Sequence, residues 1–488
     1  MTAPTRSTGS TVRRLALALI ASSMVVGGAL AASGDPGAEV GPAVPAAKCG
    51  PGSMPESDLQ GRVPASDHAS GRAAQGYTCN TRLVSRHGST GGFKVLRYTD
   101  ARGNTCAFYD STRMIGTDVA GNLLNGTGLG VVVLDMSDPA HPRKTANLVT
   151  PAMLSPHESL LVNEKRGLLA AVMGNAMTAP GVLDVYDVRS DCRRPRLLSS
   201  TPSALLGHES GFSPDGKTFW SSGAGGFTLT AIDVSNPRLP RPVFTKTGVV
   251  YHGLRFSQDG RTMYVANMGR PRGTSLLDGA GLHILDVSEV HARKPGARVH
   301  LLSDLRWEGS SIPQVAQPFT QHGHRYVLEV DEFMDLFGDI NGFDASVSPV
   351  GAARIINVDD PRKPFVVSDI RLEVHQQANR TEDVLADPGA RSPIGGYAAH
   401  YCSVPTPKNP RIAGCSMLGS GLRIFDISDV ESPREVGYFN KPDSGGANAL
   451  SQPAWDVDNA SVWYSDGTGG FYAVRLTNGV ETLLTGSH

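Results

Sequence analysis

The chain has 488 residues, with 45 basic and 46 acidic side chains, so no strong charge bias marks it for a nucleic acid or for an acidic surface. That length exceeds what one small hydrophobic core serves, and requires either several domains or one large repetitive one.

In chain order, Arg13 and Arg14 precede the apolar run "LALALIASSMVVGGALAA", which closes on Ala29-Leu30-Ala31. This pattern predicts a secretory signal peptide over residues 1–31, exported by the Sec or the twin-arginine route, and no membrane span. Residues 32–77 follow as an N-terminal extension. Its start, "ASGDPGAEVGPAVPAA", is small, Gly- and Pro-rich and without apolar period, and is expected to be a flexible linker. Six cysteines stand at 49, 79, 106, 192, 402 and 415, an even number suited to an oxidising compartment. In "HYCSVPTPKNPRIAGCSM" two short strands flank a Pro-rich turn, which places Cys402 and Cys415 within reach of a disulfide. The other four cysteines cannot be paired from sequence.

From residue 78 onward one unit recurs: "GVVVLDMSDPAHP", "GVLDVYDVRSDCRRP", "LTAIDVSNPRLP", "GLHILDVSEV", "GAARIINVDDPRKP" and "GLRIFDISDVESP". Each is a β-rich run ending in Asp or Asn, at Asp135, Asp187, Asp233, Asp286, Asn357 and Asp426, and most continue into a turn with proline. The spacing suits a four-stranded propeller blade with insertions in the later copies. Turns such as "SPDGKT" and "SQDGRT" carry the hairpin chemistry expected between neighbouring antiparallel strands. A last unit, "SQPAWDVDNASVWYSDGTGGFYAVRL", supplies three strands and lacks the terminal Asp. The expectation is therefore an all-β, seven-bladed β-propeller over 78–488, in which the N-terminal strand "CNTRLVSRHG" closes the last blade. Six or eight blades would follow only if "GGFKVLRYTD" and "GNTCAFYD" were not the first blade's inner strands.

The "GLRIFDIS" type of run followed by Asp-x-x-x-Pro resembles the LVIVD repeat of secreted and surface bacterial β-propellers, over residues from about 78 to the C-terminus. The resemblance implies the fold and names no reaction.

Aligning the blades brings His157, His208, His252 and His400, with Gln314 and Gln452, to matching offsets at the start of the innermost strand. Inner strands line a propeller's channel, so these side chains are expected to converge at one mouth. Neutral imidazoles suit copper, iron or zinc, and one transition-metal ion is the expected cofactor, held by the four histidines with Gln314 and Gln452 completing the ring through water. Occupancy is then expected to fall below pH about 6.5. The arrangement is similar in kind to the histidine hubs of carotenoid cleavage oxygenases and of selenium-binding proteins of the methanethiol oxidase type. Strand alternation turns Glu158 and Glu209 away from the histidines, as supports of the cofactor site or links between blades. The alternative is plain channel lining, in which the same groups satisfy backbone and water.

Asp335, Asp339, Asn341 and Asp344 in "DEFMDLFGDINGFD" form a weaker candidate for calcium, without EF-hand spacing. His322 and His324 fall in a turn and are expected to be exposed. "GHESG" does not present the serine of a nucleophile elbow, and no helix follows the Gly-rich turns to bind phosphate. Two functional classes remain. One is a metal-dependent extracellular oxidoreductase whose small-molecule substrate sits under the loops "MGNAMTAPG", "MGRPRGTSLLDGAG" and the acidic insertion. The other is a non-catalytic scaffold for an extracellular protein, glycan or wall component.

Overall fold

The computed structural model describes residues 40–112, 128–174, 179–272, 275–334, 344–391, 395–442 and 449–485. The signal-peptide segment, Asp335, Asp339 and Asn341 lie outside the described residues.

Seven antiparallel sheets form a seven-bladed β-propeller. Two N-terminal strands, β1 (Tyr77–Cys79) and β2 (Thr81–His87), precede the first complete blade, β3 (Val95–Thr99), β4 (Thr105–Asp110), β5 (Val131–Asp135) and β6 (Arg143–Leu148). Blade two is β7 (Leu161–Asn163), β8 (Leu168–Val172), β9 (Gly181–Asp187) and β10 (Arg196–Ala204); blade three is β11 (Glu209–Phe212), β12 (Thr218–Ser222), β13 (Thr228–Asp233) and β14 (Arg241–Thr247). Blade four is β15 (Tyr251–Phe256), β16 (Thr262–Asn267), β19 (Gly281–Asp286) and β20 (His300–Leu305), and a hairpin of β17 (Arg270–Arg272) and β18 (Ser275–Asp278) stands between its middle strands. Blade five is β21 (Ile312–Gln321), β22 (His324–Glu332), β23 (Ala353–Asn357) and β24 (Phe365–Ile370); blade six is β25 (Tyr401–Ser403), β26 (Ile412–Ser416), β27 (Leu422–Asp426) and β28 (Arg434–Asn440). Blade seven has β29 (Ala454–Asp456), β30 (Ser461–Asp466) and β31 (Gly470–Leu476), and β2 completes it from the other end of the chain.

The recurrent motif is the third strand of its blade. β5, β13 and β27 are buried at every position, because a middle strand packs on neighbouring blades through both faces and so reads as an unbroken apolar run. Its terminal Asp has two tasks. Asp135, Asp187, Asp233 and Asp426 each accept from a backbone N–H two residues on, capping the turn. Each also pairs with an arginine at the start of the outer strand: Arg143, Arg196, Arg241 and Arg434. β31 ends on Leu476 because no hairpin follows it; Leu476 pairs instead with Thr81 of β2.

One N-terminal segment closes the ring across two blades. β1 adds to the outer edge of blade six, with Tyr77 opposite Asn440, and β2 adds to blade seven. Asn80, in the left-handed conformation at φ 51°, turns the corner between them, and its side-chain amide donates to the carbonyl oxygens of Lys48 and Val436. The stretch 40–77 departs from the flexible linker expected of it. Val44 N–H donates to Arg371 O (2.9 Å), Val63 N–H to the Tyr397 hydroxyl (3.0 Å), and Glu56 enters a buried ion pair with Arg423, which also holds Glu435 at 3.0 Å. Apart from the short helices Ala65–Ser70 and Ala73–Gln75 the stretch up to β1 is irregular, and irregular backbone did not exclude packing.

All six cysteines are paired, as Cys49–Cys79, Cys106–Cys192 and Cys402–Cys415. Cys402 faces Cys415 across β25 and β26, Cys106–Cys192 joins blades one and two, and Cys49–Cys79 ties the extension to β1. Three disulfides are compatible with an extracellular protein, and among the described residues no helix is long and apolar enough to cross a membrane.

Deleting residues 78–90 removes the strand that joins the chain ends, and the whole ring is expected to lose its cooperative thermal transition in circular dichroism. Replacing Cys402 and Cys415 together by serine is expected to cost about 3 kcal/mol in denaturant unfolding, the scale for a loop of this length.

Candidate metal centre

Six of the seven inner strands begin where the alignment placed His or Gln, and the structure brings most of those side chains onto the axis. His208 and His400 directly precede β11 and β25, His252 is the second residue of β15, and Gln314 the third of β21. His157 stands ahead of β7 with φ at 49°. This left-handed residue breaks the strand alternation on which the outward placement of Glu158 depended. Glu158 consequently turns inward and becomes the centre of the cluster, a correction to its expected position.

Glu158 Oε2 lies 2.8 Å from His252 Nε2 and 3.1 Å from His208 Nε2, and those two nitrogens are 2.9 Å apart. Glu158 Oε1 accepts from Gln314 Nε2 at 2.6 Å and stands 3.4 Å from His400 Nε2. His157 closes the group, its ring centroid 4.5 Å from that of His208. A second carboxylate, Glu332 at the end of β22, reaches His400 Nε2 at 3.0 Å. Phe93 and Phe333 wall the site, packing on His157 and His400. Only His157 and His208 reach solvent; His252, His400, Glu158 and Glu332 are buried.

Below the imidazoles is a second buried group. Lys94, with no exposed surface, lies 3.3 Å from Glu209 and over the ring of Tyr401 at 4.0 Å. The Tyr401 hydroxyl donates to Glu209 Oε2 (2.8 Å) and accepts from Gln314 Nε2 (2.9 Å), which joins the two groups. Gln452 sits here, accepting from Lys94 Nζ (3.4 Å) and Arg255 Nη2 (3.3 Å), rather than among the histidines. Glu209 is directed away from the histidines, as alternation implied.

The electrostatics follow from burial and charge. Burial alone would raise Glu158, but His252, His208 and His400 hold its carboxyl well below the usual range. Burial opposes charge on His252 and His400 too, and is overcome by Glu158 and Glu332, so both imidazoles are pushed up to about 9. Partial removal from water, with His208 beside it, moves His157 the other way, below its ordinary value. Burial pulls Lys94 down to about 8 against the attraction of Glu209. The protons on His252 and His400 move the expected loss of metal occupancy upward from pH about 6.5, since an ion competes with them up to about 9.

These residues fit a metal ion on three counts. His252 Nδ1–H donates to Pro313 O (3.1 Å) and His400 Nδ1–H to Leu450 O, so backbone carbonyls orient both rings with Nε2 toward the carboxylates. His400 Nε2 and Glu332 Oε2 face each other 3.0 Å apart as a buried pair of potential ligand atoms. Finally, His157, Glu158 and His208 form one set, and Glu158, Glu332 and His400 another, with ligand atoms within 4.8 Å of one another.

Alignment of the inner strands could have found Lys94, which begins the one blade without His or Gln. Glu332 carries no such signal, because it ends a second strand and arrives only through folding. His322 and His324 are exposed, His324 pairing with Asp359 at 2.6 Å, and Asp344 is exposed with its Oδ1 accepting from Ser346 N–H.

The fold and centre together define a disulfide-bonded seven-bladed β-propeller with a buried histidine–carboxylate cluster on its axis. No family model and no curated protein matches the sequence. Among solved structures the chain is similar to Kuenenia stuttgartiensis hydrazine synthase, with a TM-score of 0.50 and 12% identity over 80% of this chain and 97% of that one. It is also similar to a putative 6-phosphogluconolactonase from Bacteroides uniformis ATCC 8492, with a TM-score of 0.47 and 13% identity over 70% of this chain and 86% of that one. At such identities the likeness is one of fold.

For His252, a folded-state value above the free one means that its stabilisation is complete below pH about 6.5 and is lost as pH rises through about 9. The stability advantage of the metal-stripped protein over its His252→Gln variant is therefore expected to shrink from pH 6.5 to 9 in urea unfolding.

Proposed function

We propose that this protein is a secreted β-propeller of the LVIVD type whose axial centre, formed by His157, His208, His252, His400, Glu158 and Glu332, holds a divalent transition-metal ion and supports an oxidoreductase-like reaction. The observation that carries the reading is the charge and donor match. Two buried carboxylates face two imidazoles that they hold protonated, and a divalent ion replaces those two protons without changing the net charge of the site. Isolated buried charge is costly, so a neutral exchange of this kind is strongly favoured over one that leaves a net charge. Imidazole and carboxylate donors suit copper, iron or zinc.

Each residue of the chain then has a task. His157 and His208 form the solvent-facing edge of the centre, where a small molecule gains access. Glu158 gathers the imidazoles from three blades, and Gln314 holds its second oxygen. The group around Lys94 and Glu209 fills the axis behind the histidines, so that access is from one face. When bound, the ion would supply Lewis acidity or a one-electron couple. The connections from β4 to β5, β16 to β19 and β22 to β23 leave from the face on which the histidines stand, and they are the longest of their kind in the ring, as a substrate-covering face requires.

Protein isolated after export is expected to carry copper, iron or zinc in elemental analysis. His208→Ala is expected to weaken binding at least tenfold, the scale of losing one ligand contact, whereas His324→Ala is not. Affinity is expected to rise between pH 7 and 9, as His252 and His400 release their protons. A protein that stays metal-free on titration, with an unchanged melting temperature, would exclude this reading and leave the non-catalytic scaffold for an extracellular protein or glycan.

A further inference from the structure

The two oxygens of Glu158 serve different partners. Oε2 faces His208 Nε2 (3.1 Å) and His252 Nε2 (2.8 Å), with His157 completing that side. Oε1 faces His400 Nε2 (3.4 Å), which also meets Glu332 Oε2 at 3.0 Å. The two sets of converging ligand atoms share Glu158 and no other residue. An ion with bonds of about 2.0–2.2 Å keeps all its ligand atoms within about 4.4 Å of one another. The two sets meet at Glu158 and have no other donor in common, so an ion held by one set leaves the remaining donors of the other for a second ion. At the Glu332 side these include His400 Nε2 and Glu332 Oε2, a buried pair 3.0 Å apart.

We infer that the centre is built for two ions, bridged by the Glu158 carboxylate: one with His157 and His208, the other on Oε1 with His400 and Glu332. This rests on the metal-binding reading above and deepens it. A bridging carboxylate sets two ions about 3.5–4 Å apart, the separation of two-metal sites that share one substrate or hydroxide. Two divalent ions exceed the charge of two carboxylates by two, so the pair calls for two anionic ligands, and water-derived hydroxide can reach it from the His157–His208 edge.

The test uses the full chain, stripped with a chelator and titrated with Zn(II) at pH 8, followed by electron paramagnetic resonance of the Cu(II)-loaded protein. The wild type is expected to bind about two equivalents of Zn(II), and Glu332→Gln and, separately, His400→Gln about one, since the first ion keeps its ligands. The Cu(II) signal of the wild type is expected to integrate to well under its copper content through coupling across the carboxylate, and to recover in Glu332→Gln. Thermal melts establish that each variant is folded, and either variant alone suffices. One equivalent in the wild type, unchanged by Glu332→Gln, would overturn the two-ion centre and leave the single-ion reading standing. Two equivalents with full Cu(II) intensity would overturn the bridge. No Zn(II) bound at all would overturn both readings.

Discussion

Two carboxylates buried on the axis, Glu158 and Glu209, impose the constraint around which the rest of the protein is arranged. A carboxylate removed from water is expensive unless cations or several donors surround it, and no single blade can provide them. The donors come from all round the ring. Lys94 arrives from blade one, His208 from blade three, His252 and Arg255 from blade four, Gln314 from blade five, and His400 and Tyr401 from blade six, while Gln452 of blade seven accepts from Lys94 and Arg255. Each inner strand is thus held to its neighbours by charge at the axis as well as by apolar packing between blades. Such a network fixes orientation more than it adds stability, because its members must all be in place before any of them is satisfied.

The rim solves a different problem. Every blade has an outer strand at the rim, and the turn leading to it must be reproducible for the blades to repeat. The Asp that ends the third strand does this locally, accepting from the turn backbone and holding the arginine that starts the outer strand. At blade seven the outer strand arrives from the other end of the chain, and the Asp is absent with the turn it would have capped. Residues 40–77 extend that closure, clasping blades five and six through Arg371, Tyr397, Arg423 and Glu435. The disulfide Cys49–Cys79 anchors this clasp beside the strand that closes the ring.

Axis and rim meet at the face where the histidines stand. The long connections from β4 to β5, β16 to β19 and β22 to β23 leave from this face, while turns such as "SPDGKT" and "SQDGRT" lie on the opposite one. The buried cluster therefore lies beneath the face that carries these long connections. Lys94, Glu209 and Tyr401 fill the axis from behind, so approach to Glu158 is past His157 and His208.

The blade number, the closing strand, the Cys402–Cys415 pair and the convergence of four histidines were all legible in the sequence. Each depends on a local pattern repeated at a fixed offset: a buried third strand, a capped turn, a residue at the start of an inner strand. The pairings Cys49–Cys79 and Cys106–Cys192 were not legible, because they join segments related only through ring closure and blade packing. The packed course of 40–77 was hidden as well, since irregular backbone can be as ordered as a strand when a surface receives it. Glu158 was misplaced by reasoning from alternation, which fails at the left-handed His157. Glu332 had no repeated position to reveal it. The sequence by itself determined which strand-start histidines reach the axis, because the repeat sets their place along each strand; only the tertiary structure decided which of them meet and which carboxylates join them, because side-chain direction at a strand end depends on one backbone angle and on the blades across the ring.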